Sequence, residues 1–378
     1  MVVIDACGAG ELPDAALYGD AGANTLAHLS SALGGLRLPV LERLGLGSIL
    51  PLEGVAPSPT PAIYGRLHAL GPGKDSTAGH WELMGVVAPQ SAPTYPEGFP
   101  ASVIQVITDV ASGRGVICNR PFNGIDVINQ YGAQQLQTGA LILYTSQDSV
   151  LQLAAHEDVI PTAELHAICR QVRARLPAEH ALGRVIARPF TGAPGAFERT
   201  SGRLDLALAP PTRSYMDRLQ EAGVPVHAVG KAGQLFSGQG IDVQHPGSTN
   251  AMALARTETL INALSHGLVF TNLIETDQVY GHRHDAEGFH TALRHIDAQV
   301  GHWLRELGKD DLLIITADHG IDLTASHTDH TREHVPLLAV VPGTVGFQHD
   351  GPMSDVGATV LHWLTGRADE ELPGTPFL

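Results

Sequence analysis

Short runs of β-branched and apolar residues alternate with longer helical patterns through most of this chain. The candidate core strands are 2–5, 225–229, 267–274, 312–317 and 336–341. Helical spacing of apolar residues marks 249–265, 289–307 and 356–364. Two parallel strands need a long crossover between them, which is usually a helix, so this alternation is typical of a mainly parallel sheet between helices. We therefore predict an α/β fold.

Proline-rich segments at 89–100 and 209–211 interrupt this pattern. Between them the chain has its own strand pattern at 140–144 and its own helical pattern at 162–175. Clustered prolines mark boundaries between structural elements. The sequence thus predicts a core domain in two parts with an α/β cap domain inserted between them, divided as 1–92, 93–209 and 210–378.

The chain is acidic, with 23 Lys and Arg against 39 Asp and Glu and a formal charge of −16 over 378 residues. Such a charge argues against a nucleic-acid partner or an anionic membrane surface. No apolar run reaches the roughly 18 residues of a membrane span, and no signal-peptide pattern opens the chain. Cys7, Cys118 and Cys169 form no CxxC pair, so we expect a reduced, cytoplasmic protein. The oligomeric state stays open.

Acidic residues follow three of the predicted strands. Asp5 ends the first, Asp277 follows 267–274, and Asp318 and His319 follow 312–317. Loops at the carboxyl ends of parallel strands converge on one crevice, so we expect these side chains to lie together. Nine of the 20 histidines also fall near the C-terminus, at 282, 284, 290, 295, 302, 319, 327, 330 and 334.

Carboxylates mixed with imidazoles suit Mn²⁺, Zn²⁺ or Mg²⁺, and the histidine share favours Mn²⁺ and Zn²⁺. His282 and the segment 327–330 add enough donors for two divalent ions. Two ions about 4 Å apart would hold the attacking and leaving oxygens of a phosphoryl transfer. The sequence therefore predicts a two-metal site for phosphoryl chemistry.

The segment 73–81 (GKDSTAGHW) supplies a candidate nucleophile. A bound metal would lower the pKa of the Ser76 or Thr77 hydroxyl, and Lys74 would assist with a phosphate. A serine or threonine after an aspartate is also common in a turn or at a helix N-cap. On these residues alone the alternatives remain open.

Several ordered motifs resemble those of the phosphopentomutases, a family of the alkaline phosphatase superfamily. They cover nearly the whole chain and are 11–25 (ELPDAALYGDAGANT), 73–82 (GKDSTAGHWE), 97–100 (EGFP), 144–157 (YTSQDSVLQLAAHE), 183–190 (GRVIARPF), 316–320 (TADHG) and 328–333 (TDHTRE). The TADHG segment indicates only the superfamily, whereas 73–82 together with 144–157 points to the mutases. The resemblance implies an alkaline-phosphatase-like core with a mainly parallel sheet, an inserted α/β cap, and an isomerase.

The resemblance also implies two divalent ions, usually manganese, and a set of site residues. One ion would be held by Asp5, Asp318, His319 and the nucleophile, and the other by Asp277, His282 and His330. The family's nucleophile is the threonine directly after GKD; that position is Ser76 here, and Thr77 is the alternative. Substrate contacts would come from Ser146, Asp148, Arg184, Arg199 and Lys231.

The implied reaction interconverts α-D-ribose 1-phosphate, or its 2-deoxy analogue, with the 5-phosphate through a phosphoserine and a sugar bisphosphate, which also serves as activator. The segment 119–126 (NRPFNGID) departs from the Ala-Ser-Gly-Thr-like run expected after the proline, and Ile321 replaces a common asparagine. The alternatives are therefore a divergent mutase acting on a modified pentose phosphate, a metal-dependent phosphatase on the same scaffold, and a binding protein without catalysis.

Overall fold

The computed structural model describes residues 1–146 and 149–378, so Asp148, one of the expected substrate contacts, lies outside the described residues. The chain divides into two compact units. The first combines Met1–Ser91 with Ala209–Leu378, and the second is Ala92–Leu208. None of the helices in the described part of the chain has the length and apolar character needed to cross a membrane.

Strands are numbered along the described chain. They are β1 (Val2–Ile4), β2 (Ile63–His68), β3 (Val116–Pro121), β4 (Leu141–Thr145), β5 (Val150–His156), β6 (Arg184–Ala193), β7 (Ala196–Arg199), β8 (Leu204–Ala207), β9 (Val226–Val229), β10 (Val243–His245), β11 (Leu268–Leu273), β12 (Leu313–Thr316), β13 (Val335–Val340) and β14 (Gly351–Pro352). The predicted core strands correspond to β1, β9, β11, β12 and β13, each within one residue at either end.

Helices are numbered in the same way. They are α1 (Thr25–Ala32), α2 (Pro39–Leu44), α3 (Leu46–Ile49), α4 (Ser76–Leu83), α5 (Ala101–Val110), α6 (Asp126–Thr138), α7 (Thr162–Arg175), α8 (Tyr215–Glu221), α9 (Ala232–Leu235), α10 (Asn250–Ala263), α11 (Ala286–Glu306) and α12 (Asp355–Thr365). The three helices predicted near the C-terminus are confirmed as α10, α11 and α12.

The first unit is built on an eight-stranded sheet with the order β10-β9-β11-β1-β12-β13-β2-β14. Neighbours from β10 to β12 are parallel, whereas β13 is antiparallel to both β12 and β2. The predicted α/β class with a mainly parallel sheet is therefore confirmed. Val3 lies opposite both Asn272 and Thr316, so the segments after β1, β11 and β12 emerge side by side at one edge.

The second unit has its own sheet, with the order β3-β4-β5-β6-β7 and β8 paired to β6. Because side chains alternate between the faces of a strand, this sheet has two separate cores. One face buries Leu143 and Leu153 under α5 and α7, and the other buries Tyr144 and Phe190 under α6. Hydrophobic contacts on both faces make this block a compact α/β unit.

Helix α11 carries a stripe of apolar side chains on its buried side. Asp285 caps its N-terminus by accepting a hydrogen bond from the Gly288 amide at 2.9 Å. The fully or nearly fully buried members of the stripe are Phe289, Leu293, Ile296, Val300 and Trp303. Their spacing of three or four residues keeps them on one face, so the helix packs onto the core through this stripe.

Trp303→Ala should lower the free energy of unfolding by about 3–5 kcal/mol, because it leaves a large cavity beneath α11. Urea denaturation followed by circular dichroism measures the change. Glu306→Ala, at an exposed position of the same helix, serves as the control and should stay within about 0.5 kcal/mol of the parent. Equal losses in both variants would contradict the packing described for Trp303.

Candidate active site

The first carboxylate of the site belongs to the turn that follows β1. Asp5 is 2% exposed, and its Oδ2 accepts a hydrogen bond from Asn272 Nδ2 at 3.0 Å. The next residue, Ala6, has a left-handed φ of 63° and donates its amide to Asp318 Oδ1 at 3.1 Å. The pairing of β1 between β11 and β12 thus orients two carboxylates that lie more than 300 residues apart in the sequence.

Asp277 lies between two imidazoles. A π-helical turn, Thr276–Tyr280, is followed directly by a 3-10 turn, Gly281–Arg283, which brings His282 back towards Asp277. Asp277 Oδ1 is 3.4 Å from His282 Nε2 and 3.3 Å from His330 Nε2. His282 Nδ1 is bonded to the Thr328 carbonyl oxygen at 2.7 Å, which leaves Nε2 as its ligand atom.

A second group of ligand atoms combines Asp5, Asp277 and His319, all within 4.8 Å of one another. His319 Nε2 is 3.4 Å from both Asp5 Oδ1 and Asp318 Oδ2. Its Nδ1 is bonded to the Gly320 carbonyl oxygen at 3.0 Å, so Nε2 again faces the carboxylates. Asp277 therefore belongs to both groups, and Asp318 lies at the edge of the second.

Burial and neighbouring charge act in opposite directions on these groups. Burial alone would raise the pKa of Asp318, but the imidazoles of His319 and His80 hold it well below the ordinary value. Burial likewise would raise the pKa of Asp277, and the hydrogen bond with His330 lowers it. For His319 burial alone would lower the pKa, yet the adjacent carboxylates raise it well above the usual range. The lowered pKa values keep the Asp277 and Asp318 carboxylates ionised, so the site favours the binding of cations.

The donor set also fits metal ions. Asp277 Oδ1 and Asp318 Oδ2 are buried oxygens whose neighbours are imidazole nitrogens, at 3.3 Å from His330 Nε2 and 3.1 Å from His80 Nδ1. Buried carboxylate oxygens of this kind need a compensating partner, and divalent cations are bound by such mixtures of carboxylate and imidazole. The residues present thus fit divalent ions.

Ser76 is the first residue of α4 and lies beside the same group. Asp75 caps the helix, because its Oδ1 accepts the amides of Thr77 at 2.9 Å and Ala78 at 3.1 Å. Ser76 Oγ is 3.1 Å from His319 Nε2 and 3.4 Å from Asp5 Oδ1. The Thr77 hydroxyl makes no hydrogen bond to the carboxylates or imidazoles that the structure describes at this site. The helix therefore presents Ser76 to the ligand cluster.

Two lysines were predicted near a phosphate, and their surroundings differ. The Lys74 ammonium is bonded to Asp20 Oδ2 at 3.0 Å and lies 3.8 Å from Asp329 Oδ2, so two carboxylates already neutralise it. Lys231 follows β9 after one residue, Gly230, and is half-buried. Because β9, β11 and β1 are parallel, Lys231 emerges at the same sheet edge as Asp5.

Arg184 and Arg199, which we expected to contact the substrate together, lie at different ends of β6 in the second unit. Arg184 opens β6, and its Nε donates to Asp205 Oδ1 at 3.1 Å. Arg199 pairs with Phe190, six residues further along β6, which is about 20 Å at 3.3 Å per residue. Ser146 follows β4 directly.

Arg188 and Arg203 are cations that the sequence reasoning missed. Arg188 is half-buried, donates to Gln152 Oε1 at 3.1 Å, and has no carboxylate partner among the described residues. Burial and the charges of Arg203 and Arg199 lower its pKa. Arg184 and Arg188 lie on the same face of β6, because they are four residues apart and side chains alternate between the two faces of a strand. This alternation is the sequence signal that could have identified Arg188.

Comparisons with known proteins agree with this site. A model of the metalloenzyme superfamily matches residues 1–366. The phosphopentomutase of Caldanaerobacter subterraneus subsp. tengcongensis is 46% identical, and the match covers 95% of this chain and 92% of that protein. The phosphopentomutase of Anaeromyxobacter sp. (strain K) is 45% identical, and the match covers 100% of this chain and 97% of that protein. The phosphopentomutase of Carboxydothermus hydrogenoformans is 47% identical over 89% of this chain and 87% of its own.

The chain belongs to the phosphopentomutase family. The resemblance inferred from the sequence motifs is therefore confirmed, and with it the interpretation of the chain as a metal-dependent enzyme of the isomerase class. Membership also agrees with the buried carboxylate and imidazole groups.

His282→Ala should lower the metal content by about one ion per chain, and Asp277→Ala should lower it further, because Asp277 contributes to both groups of ligand atoms. Mass spectrometry of the elements after dialysis against Mn²⁺ measures the content. The control is His295→Ala, which removes an exposed histidine of α11. Parental metal content in the Asp277 variant would contradict this arrangement.

Proposed function

We propose that this enzyme interconverts α-D-ribose 1-phosphate, or the 2-deoxy sugar, with the corresponding 5-phosphate. The observation that carries the proposal is the position of Ser76 Oγ, 3.1 Å from His319 Nε2 and 3.4 Å from Asp5 Oδ1, in a chain of this family. A hydroxyl beside a cation-binding cluster is the arrangement that a phosphoenzyme requires.

We assign two divalent ions, with manganese as the resident metal, to the carboxylates and imidazoles of this cluster. Asp277, His282 and His330 would hold one ion; Asp5, Asp318, His319 and Ser76 would hold the other. When bound, such ions lower the pKa of the attacking hydroxyl and neutralise the charge of the transferring phosphoryl group.

Ser76 would carry the phosphoryl group between the two sugar positions. Its Oγ attacks one phosphorus of a sugar bisphosphate, the P–O bond to the sugar breaks, and the serine proton is transferred to the departing sugar oxygen. The phosphoserine then donates that group to the free hydroxyl of a pentose monophosphate, whose proton returns to Ser76 Oγ. The resulting bisphosphate returns its other phosphoryl group to Ser76. Because Ser76 is the first residue of α4, the phosphate would lie at the positive end of the helix dipole. A sugar bisphosphate in solution would activate enzyme that has lost its phosphoryl group.

The phosphate that does not react also needs cations. We assign this role to Arg199 and Lys231, with Ser146 and Asp148 contacting the sugar and Arg184 acting while bonded to Asp205. We also propose that the second unit, which carries these arginines, is the domain that caps the substrate. Guanidinium groups bind phosphate oxygens in a bidentate manner, which suits this task. We further propose a cytoplasmic location, where pentose phosphates are available.

The proposed reaction is tested by ³¹P NMR with ribose 5-phosphate, Mn²⁺ and a catalytic amount of a sugar bisphosphate. The expected products are ribose 1-phosphate and ribose 5-phosphate at equilibrium, with little inorganic phosphate. Steady release of inorganic phosphate would identify a phosphatase on the same scaffold. A preference for another pentose phosphate in the same assay would identify a divergent mutase, which is the alternative raised by the segment 119–126.

Ser76→Ala should abolish turnover, but the protein should still bind at least one metal ion per chain, because the other ligands remain. Ser76→Thr, which restores the residue that the family uses, should keep measurable activity. Thr77→Ala is the matched control and should leave the rate within about twofold, since its hydroxyl makes no bond to the described cluster. Activity in Ser76→Ala and its loss in Thr77→Ala would transfer the nucleophile to Thr77.

Arg199→Gln should raise the KM for ribose 5-phosphate about ten- to a hundredfold, because a charge-assisted contact to phosphate is lost. Steady-state kinetics in the presence of saturating Mn²⁺ measures the effect. Arg170→Gln, at an exposed position of α7, is the control and should leave the KM unchanged. An unchanged KM in the Arg199 variant would remove this residue from the anion site.

A further inference from the structure

The segment that leads into α4 is fixed at each residue from Leu70 to Lys74. Glu82, from the buried side of α4, accepts the amides of Leu70 at 2.5 Å and Gly71 at 2.8 Å. The next three residues, 72–74, are hydrogen-bonded to side chains from distant parts of the sequence. Their bonds decide where the loop 72–75 presents Ser76, the proposed nucleophile.

Arg332 holds this loop from one side. Its Nη1 donates to the Gly73 carbonyl oxygen at 2.7 Å, and its Nη2 donates to Asp14 Oδ2 at 3.1 Å. The side chain is almost completely buried, at 5% exposure of the residue. A planar guanidinium makes both contacts at once, whereas the ammonium of a lysine has no such fork.

Tyr18 completes the clamp. Its hydroxyl donates to the Pro72 carbonyl oxygen at 2.9 Å, and its ring lies under the Arg332 guanidinium at 5.0 Å from ring centroid to Cζ. Asp20 adds a third contact, because it accepts both the Lys74 ammonium at 3.0 Å and the Arg332 amide at 2.8 Å. The segment 14–20, which has no role in the proposed chemistry, thus contacts the loop directly at Pro72 and Lys74, and it reaches Gly73 through Arg332.

We propose that Tyr18 and Arg332 are positioning residues for the phosphoryl-transfer step. They hold the loop 72–75 so that Ser76 Oγ stays at the ligand cluster, and the contacts of their side chains go to Pro72, Gly73 and Asp14 and not to the proposed metal ligands. The proposal rests on the assigned role of Ser76. A small displacement of a reacting group costs rate in the chemical step, so the clamp acts on kcat.

The test compares Tyr18→Phe and Arg332→Lys in the holoenzyme. Tyr18→Phe removes one hydrogen bond but keeps the ring under Arg332, and kcat should fall about three- to tenfold. Arg332→Lys keeps the charge but loses the fork, and kcat should fall about ten- to a hundredfold. In both variants the KM for ribose 5-phosphate and the Mn²⁺ content should stay within about twofold of the parent. The double variant should lose little more than Arg332→Lys alone, because the two residues act on one loop.

Tyr215→Phe is the matched control for Tyr18→Phe. It removes a bond of the same kind and length, from the Tyr215 hydroxyl to the Pro373 carbonyl oxygen at 2.9 Å, far from the loop in sequence. Arg218→Lys is the control for Arg332→Lys, since Arg218 is bonded to Asp369 at 2.7 Å at the C-terminal segment. Both controls should keep the parental kcat.

Hydrogen–deuterium exchange separates this proposal from the proposed reaction. Peptides that cover 70–78 should exchange faster in Tyr18→Phe and Arg332→Lys than in the parent and the controls, whatever the enzyme's substrate is. Unchanged exchange in these peptides would overturn the clamp. A loss of activity that appears in the KM or in the Mn²⁺ content, with kcat preserved, would overturn it as well. Failure of the parent to interconvert pentose phosphates would count only against the proposed reaction, because the exchange measurement would still decide on the clamp.

Discussion

Three carboxylates are buried together at neighbouring strand ends, and this charge is the constraint around which the first unit is arranged. Asp5, Asp277 and Asp318 are each less than 10% exposed. Ionised groups that lose their hydration are costly unless other charges compensate them. The imidazoles of His319 and His80 provide part of that compensation, and divalent cations, which fit this donor set, would supply the rest. Stability and reactivity therefore depend on the same atoms.

A second layer keeps the cluster in place. Glu333 is completely buried and accepts hydrogen bonds from the Thr25 hydroxyl at 2.7 Å, the Thr331 hydroxyl at 2.6 Å and the Gly10 amide at 3.1 Å. Burial raises its pKa, although these bonds oppose the rise. A side chain at Gly8 or Gly320 would overlap this carboxylate, so glycine is required where the two loops approach it. The loops that carry Asp5 and His319 are thus tied to one buried acid.

Positive charge is concentrated locally in a chain whose net charge is −16. On the second unit Arg188 and Arg199 have no carboxylate partner among the described residues, while Arg184 and Arg203 share Asp205. Burial, together with the charges of Arg203 and Arg199, lowers the pKa of Arg188, and a bound anion would oppose that shift. This group of guanidinium side chains therefore gives the second unit a local surface that favours anions.

Local patterns in the sequence determined the α/β class, the five core strands and the acidic residues at their ends, because periodicity and strand-end position are properties of neighbouring residues. They also sufficed to recognise the family. The partners of each charge were not predictable in this way. Lys74 is bonded to Asp20 and Arg184 to Asp205, and Asp277 is common to both groups of ligand atoms, although single residues gave no sign of it. Such pairings depend on strand register and on side chains brought together from segments that can lie more than 300 residues apart, and only the tertiary structure decides them.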